Sequence, residues 1–124
     1  MSSESGVQIP EEMIHYGMTK AAELALANGI ARLTKGTGVT VNSVLPGPTA
    51  SEGVTEFVGK LASEAKQTRE EFETEFFRSV RPTSLLQRFA SVDEVASMVT
   101  YICSPLASAT NGAAVRVDGG VLRG

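Results

Sequence analysis

Val39-Thr40-Val41-Asn42-Ser43-Val44-Leu45-Pro46-Gly47-Pro48 is the stretch on which the fold turns. Its β-branched residues favour extended backbone, Gly38 bounds it on one side, and Pro46-Gly47-Pro48 makes a rigid loop on the other. It reads as a strand running into a loop. Upstream, Ala21, Ala22, Leu24, Ala25, Leu26, Ala27, Ile30, Ala31 and Leu33 recur at three-and-four spacing. That period predicts a helix from about Glu11 to Lys35, closed by Gly36 and Gly38. Asn28-Gly29 is a turn dipeptide, yet the periodicity runs through it on both sides. A strand after a long helix makes the chain α/β.

Downstream, Val54, Phe57, Val58 and Leu61 repeat at helical spacing, and an acidic run from Glu70 to Glu75 carries Phe72, Phe76 and Phe77. Two amphipathic helices follow from this pattern. Ser91-Val92-Asp93-Glu94 is a capping box, opening a helix through Val95, Met98, Val99 and Ile102 that ends near Ser104-Pro105. Ala113 to Val117 reads as a short strand closed by Asp118-Gly119-Gly120. Both strands are apolar enough to call for burial on both faces, whereas a parallel sheet needs several strands covered by helices. Residues 1–124 therefore read as a single partial domain.

Composition narrows the functional classes. With 124 residues, 42% hydrophobic and 20% charged, the chain is neither disordered, collagenous nor a disulfide scaffold. Eleven basic against 14 acidic residues give a net charge of −3, which supplies no electrostatic pull toward nucleic acid or an anionic membrane. No long apolar run is present, and the start MSSESGVQIPEE lacks the basic-then-apolar build of a signal peptide. The expected location is the cytoplasm. One His and one Cys cannot assemble a structural zinc site, so no metal is expected. Cys103, set among Val99, Ile102 and Leu106, reads as an inert core thiol.

Tyr16-Gly17-Met18-Thr19-Lys20 places a phenol and an ammonium four residues apart, on one face of a helix with β-carbons about 6 Å apart. A fixed positive charge favours phenolate, which makes tyrosine usable as a general acid or base near neutrality. Taken alone the spacing is weak, arising in roughly 6% of shuffled chains of this composition. Its plain alternative is a surface lysine beside a half-buried tyrosine. His15 adjoins Tyr16 but points about 100° away, as pocket rim or surface.

Ser3 stands thirteen residues before Tyr16, Gly6 follows Ser3 at three, and Pro46-Gly47 ends the next strand. Together with Tyr16 and Lys20, the Val41-to-Thr49 segment, Arg88 before the capping box, and Asn111-Gly112 leading to Val117-Asp118-Gly119-Gly120, this ordered set resembles the C-terminal half of a short-chain dehydrogenase/reductase. The resemblance extends over essentially the whole chain. It implies the C-terminal portion of a Rossmann-type doubly wound parallel sheet, with about two strands and three to five helices present. It also implies an NAD(P)-dependent oxidoreductase interconverting a secondary alcohol and a ketone. On this pattern Ser3 hydrogen-bonds the substrate oxygen, Tyr16 passes a proton to or from it, and Lys20 holds the nicotinamide ribose. The loop of Pro46, Gly47, Thr49 and Ser51 closes on the nicotinamide of NAD or NADP, with Ser51 where the family usually has threonine. Thr49 and Ser51 also read as an ordinary turn-and-cap pair ahead of the helix at Val54.

The Val54-to-Phe77 region becomes, by the same resemblance, a mobile lid over a small carbonyl or alcohol substrate, with Phe57, Leu61, Phe72 and Phe76 setting specificity. The acidic run at Glu70 to Glu75 reads more simply as a solvated face. No Gly-x-Gly-x-x-Gly occurs in the sequence, so the resemblance leaves out the family's phosphate loop, its ribose-selecting residue and its catalytic asparagine. A homo-oligomer, dimer or tetramer, is implied through the helix bearing Tyr16 and Lys20 and through the last helix and strand. The competing expectation is a noncatalytic, truncated chain that keeps mainly these self-association surfaces.

Overall fold

Pro10 holds extended backbone ahead of a 3₁₀ turn at Glu11–Met13, and α1 (Ile14–Leu33) continues from it without interruption at Asn28-Gly29. The computed structural model describes residues 1–123. After α1 come β1 (Ser43–Pro46), α2 (Glu52–Glu64), α3 (Arg69–Ser79), α4 (Val92–Ile102) and β2 (Ala114–Val117), with further 3₁₀ turns at Glu4–Gly6 and Pro105–Ala107. The architecture is α/β, with four α-helices and a two-stranded parallel sheet among the described residues.

Helix starts follow local chemistry. Ser51 caps α2 by accepting the Val54 amide at 3.5 Å. Thr68 with Glu71 and Ser91 with Glu94 form reciprocal capping boxes on α3 and α4. The Ser91 box follows from the sequence reading; the Thr68 box carries the same Thr-x-x-Glu signal.

The strands pair with Ser43 opposite Ala114 and Pro46 opposite Val117. On the other edge of β1, the Ser2 amide donates to the Val44 carbonyl at 3.0 Å. β1 is shorter than the expected Val39–Leu45 strand because side-chain amides replace the ladder at its start. Asn111 Oδ1 accepts the Val41 amide at 2.9 Å, and Asn42 both donates to the Thr110 carbonyl and accepts from the Ala113 amide. Val44, Leu45, Ala90, Val95, Ala107, Val121 and Leu122 are buried, and Phe77 with Ala62 is buried beneath α2 and α3.

β2 alternates between exposed and half-buried positions, so the burial that its apolar residues call for is not met among the described residues. One expectation is corrected. Cys103 is exposed, not a core thiol: the inward positions of α4 are Val95, Met98, Val99 and Ile102, and one residue beyond Ile102 the side chain has turned about 100° away.

The described chain exposes 7903 Å², against about 6,300 Å² for a compact monomer of its mass. Part of the surplus is apolar: Ile14, Met18, Leu26, Ile30 and Leu33 of α1 are all exposed.

Candidate active site

Two glycines decide where the polar residues meet. A Cβ at Gly6 would stand 2.8 Å from the Lys20 carbonyl carbon, and one at Gly17 would stand 2.9 Å from the Ser5 carbonyl oxygen and 2.7 Å from Ile9 Cγ2. Only glycine lets the Glu4–Gly6 turn lie this close against the first turns of α1. Ser2 fastens the contact, its hydroxyl donating to the Lys20 carbonyl at 2.8 Å. Ser3 and Tyr16 are thereby brought to one cleft.

That cleft has a volume of about 650 Å³. Its polar end is formed by Ser2, Ser3, Glu4, Ser5, Tyr16 and Arg81, and the loop after β1 contributes Pro46, Gly47, Thr49 and Ser51. The remaining wall is apolar and comes largely from α2 and α3: Val54, Phe57, Val58, Leu61, Phe72 and Phe76, with Phe89 from the following loop. The four residues expected to set specificity, Phe57, Leu61, Phe72 and Phe76, all line it. Its position beyond the C-terminal end of β1 follows the general rule for ligand sites in open α/β sheets.

The Ser3 hydroxyl donates to Glu4 Oε2 at 2.5 Å and accepts the Ser5 amide at 3.1 Å. Tyr16 is 37% exposed, and its hydroxyl has no hydrogen-bond partner among the described residues. The Lys20 ammonium lies 5.7 Å from the centroid of the Tyr16 ring. It pairs with Glu23 at 2.9 Å and reaches the Met1 carbonyl at 3.4 Å. Lys20 therefore flanks the phenol without lining the cleft. His15 is exposed on the next helical position.

Thr49 and Ser51 have the geometry of a turn and a cap. The Thr49 hydroxyl donates to the Gly47 carbonyl at 2.9 Å and Ser51 caps α2. The loop itself is tied down by a parallel bridge, with the Ala50 amide donating to the Ala90 carbonyl at 2.8 Å and the Ala90 amide to the Pro48 carbonyl at 2.9 Å. Those bonds leave the intervening Thr49 amide without a partner among the described residues. Gly47 is pressed against Asp118, where a Cβ would meet the Asp118 carbonyl oxygen at 2.7 Å.

Two residues of the cleft were not singled out from the sequence. Glu4 is 5% exposed, and its carboxylate accepts from Ser3, from Ser5 and from Arg81 Nε at 3.4 Å. Arg81 also donates to Glu12 at 3.2 Å and to the Val80 carbonyl at 2.9 Å. A hydrogen bond from its own backbone is the largest influence on the Glu12 carboxyl; burial opposes it, and Arg81 adds to it, so that the group is held below the usual carboxylate range. The signal for Glu4 was local: a carboxylate between Ser3 and Ser5 has two hydroxyls within reach. Arg81, 77 residues away, had no such signal.

Among the described residues no cluster of three or more His, Cys, Asp or Glu is placed to hold a metal ion, and no helix is long and apolar enough to cross a membrane.

Known proteins resemble this chain in sequence and fold. The family model for enoyl-(acyl carrier protein) reductase matches residues 1–122. The uncharacterized oxidoreductase YvrD of Bacillus subtilis is 48% identical over 123 residues, covering 99% of this chain and 47% of that protein. A second Bacillus subtilis oxidoreductase, YvaG, is 43% identical with the same coverage. Among solved structures, L-sorbose reductase from Gluconobacter frateurii, complexed with NADPH and L-sorbose, superposes with a TM-score of 0.88 at 24% identity, over 99% of this chain and 46% of that one. A short chain dehydrogenase family protein from Francisella tularensis gives a TM-score of 0.83 at 20% identity, over 97% and 48%. These structural likenesses establish the Rossmann-type fold. The chain spans about half the length of the curated relatives it matches.

Proposed function

Because the chain belongs to the short-chain dehydrogenase/reductase family, we propose that it serves an NAD(P)-dependent oxidoreductase interconverting a secondary alcohol and a ketone, with Ser3, Tyr16 and Lys20 as the catalytic set. The observation that carries this reading is the convergence of Ser3 and Tyr16 on one largely apolar cleft, with the Lys20 ammonium 5.7 Å from the phenol ring.

The residues present suit the nicotinamide end of such a cofactor. Thr49 lines the cleft with an amide that no described residue uses, and the Lys20 ammonium flanks the Tyr16 ring. When bound, the nicotinamide supplies or takes up the hydride at the substrate carbon. In the reducing direction Tyr16 gives its phenolic proton to the carbonyl oxygen as the carbon–oxygen π bond breaks, and the new O–H and C–H bonds complete the alcohol. In the oxidising direction the phenolate takes that proton back. Lys20, its ammonium beside the Tyr16 ring, would hold the nicotinamide ribose, and the apolar walls would receive the carbon skeleton of the substrate. Pro46, Gly47, Thr49 and Ser51 would position the nicotinamide.

Oxidation of NADH and of NADPH by the full chain with neutral ketones such as acetophenone tests the proposal. Tyr16→Phe should lower turnover by about 100-fold or more while leaving the circular dichroism spectrum unchanged; undiminished turnover would count decisively against it.

The surplus surface favours a second reading, in which the chain is noncatalytic and its retained property is self-association through α1 and the last helix and strand into a dimer or tetramer. Light scattering across a concentration series tests this, a monomer at high concentration being the contrary result. Titration with NADH and NADPH separates the two readings, since tight cofactor binding by the chain supports only the first.

A further inference from the structure

Glu4 lies next to Ser3 in the Glu4–Gly6 turn, buried at the polar end of an otherwise apolar cleft. Both oxygens of its carboxylate are engaged. Oε2 accepts from the Ser3 hydroxyl at 2.5 Å, the Ser5 hydroxyl at 2.8 Å and the Ser5 amide, while Oε1 accepts from Arg81. A serine hydroxyl has one proton and two lone pairs. In Ser3 the proton is committed to Glu4, and one lone pair accepts the Ser5 amide at 3.1 Å. What Ser3 retains for a ligand is a single lone pair.

We propose that Glu4 is a positioning residue that locks Ser3 as a hydrogen-bond acceptor, so that the cleft binds a secondary alcohol in preference to the corresponding ketone. The inference rests on the assignment of Ser3 and Tyr16 made above and adds a binding preference to it. With the phenol protonated, an alcohol donates its proton to Ser3 and accepts from the Tyr16 hydroxyl; for oxidation that proton then turns to the phenolate. A ketone has no proton to give, and its oxygen faces a lone pair at Ser3. Donation to a carboxylate also polarises the Ser3 oxygen, which strengthens it as an acceptor. Arg81 completes the device: it compensates the buried Glu4 charge, and Glu12 and the Val80 carbonyl hold Arg81 in turn. Reduction of a ketone at this site requires Ser3 to turn its proton away from Glu4, whereas alcohol binding requires no such rearrangement.

The test uses the full chain and a probe pair that shares one skeleton, 1-phenylethanol and acetophenone, titrated by amide chemical shifts. The parent chain should bind the alcohol about 5-fold more tightly, the worth of one additional hydrogen bond. Glu4→Leu, which removes the acceptor of the Ser3 proton, should bring the ratio close to one. Ser3→Ala should do the same, and adding Glu4→Leu to Ser3→Ala should change nothing further, a non-additivity that a merely structural role would not produce. Should Glu4→Leu fail to fold, the double change Glu4→Leu with Arg81→Leu removes the partner charge as well and should bring the ratio to the same value. A preference that survives the loss of the Glu4 carboxylate in a folded chain overturns the proposal, as does equal binding of the two probes by the parent. If that happens while Tyr16→Phe still abolishes turnover, only this inference falls; if the parent binds neither probe and turns nothing over, both fall.

Discussion

Below the cleft, the Glu4–Gly6 turn meets α1 at backbone contact distance, and its side chains are joined by hydrogen bonds between hydroxyls, a carboxylate and a guanidinium. Above it, α3 is held to the loop that follows it chiefly by aromatic rings. Phe76, Phe77 and Phe89 pack with centroids 5.1 to 5.2 Å apart, and a single polar tie runs beside them from the Phe89 amide to Glu73 at 2.8 Å. The lower side fixes directions, as a hydrogen bond or a glycine contact must. The upper side supplies area, and rings that slide past one another accept ligands of differing shape. Proton transfer needs the first property and substrate choice needs the second.

The contrast breaks most readily at Phe77, which is 1% exposed at the centre of the aromatic cluster. Phe77→Ala should cost about 4 kcal/mol of unfolding free energy in denaturant titration, with amide exchange rising first in α2 and α3. Equal loss of protection in α1 would show that the two sides are one cooperative unit. Gly17→Ala probes the lower side. The added methyl meets Ile9 and the Ser5 carbonyl at less than contact distance, and overpacking should cost about 2 kcal/mol while changing the amide shifts of Ser3 and Ser5. An unchanged spectrum would mean the turn is looser than its contacts require.

Smaller effects sharpen the picture. Thr68→Ala removes half of the capping box on α3 and should cost about 1 kcal/mol in the same titration, without altering binding at the lower side. Glu94 gives the pH dependence. A hydrogen bond from Arg88 is the largest cause, followed by the Ser91 amide, of a carboxyl held at about 2 against an ordinary 4.5. A depressed carboxylate contributes stability that is fully present above its unfolded value and is lost as pH falls through the folded one. Acid unfolding followed by circular dichroism should therefore begin below about pH 4.5 and run toward pH 2, and Arg88→Met should shift it to higher pH. An unmoved acid limb would show that this exposed pair contributes nothing, as many surface pairs do.

The sequence carried the elements well where local forces decide them. The apolar period of α1, the capping box at Ser91, and the loop signal of Pro46-Gly47-Pro48 each act within a few residues. It carried less where distant groups decide. The shortening of β1 depends on Asn111 and Thr110, far along the chain, and the exposure of Cys103 depends on where α4 happens to end its turn. The cleft follows the same division. That Ser3 and Tyr16 share a cleft while Lys20 flanks the phenol outside it accords with their spacing and with the family resemblance, because a helix and a short turn convert spacing into position. The partnership of Glu4 with Arg81 was not legible, because a buried ion pair bridging 77 positions leaves no periodic trace. The capping box at Thr68 was in plain view and passed over, since the acidic run around it reads as a solvated face.

The parallel bridge between Thr49 and Ala90 has a consequence for how such a chain diversifies. Beyond the end of β1 the backbone is clamped at Ala50 and again beside the same spot at Ala90, so the two ends of the intervening segment are held together. Its later part is tied back to the body, Arg81 to Glu4 and the Leu85 and Leu86 amides to the Gly119 carbonyl. What remains, α2 and α3, works as an exchangeable cassette that can be lengthened, shortened or grafted without disturbing the register of β1.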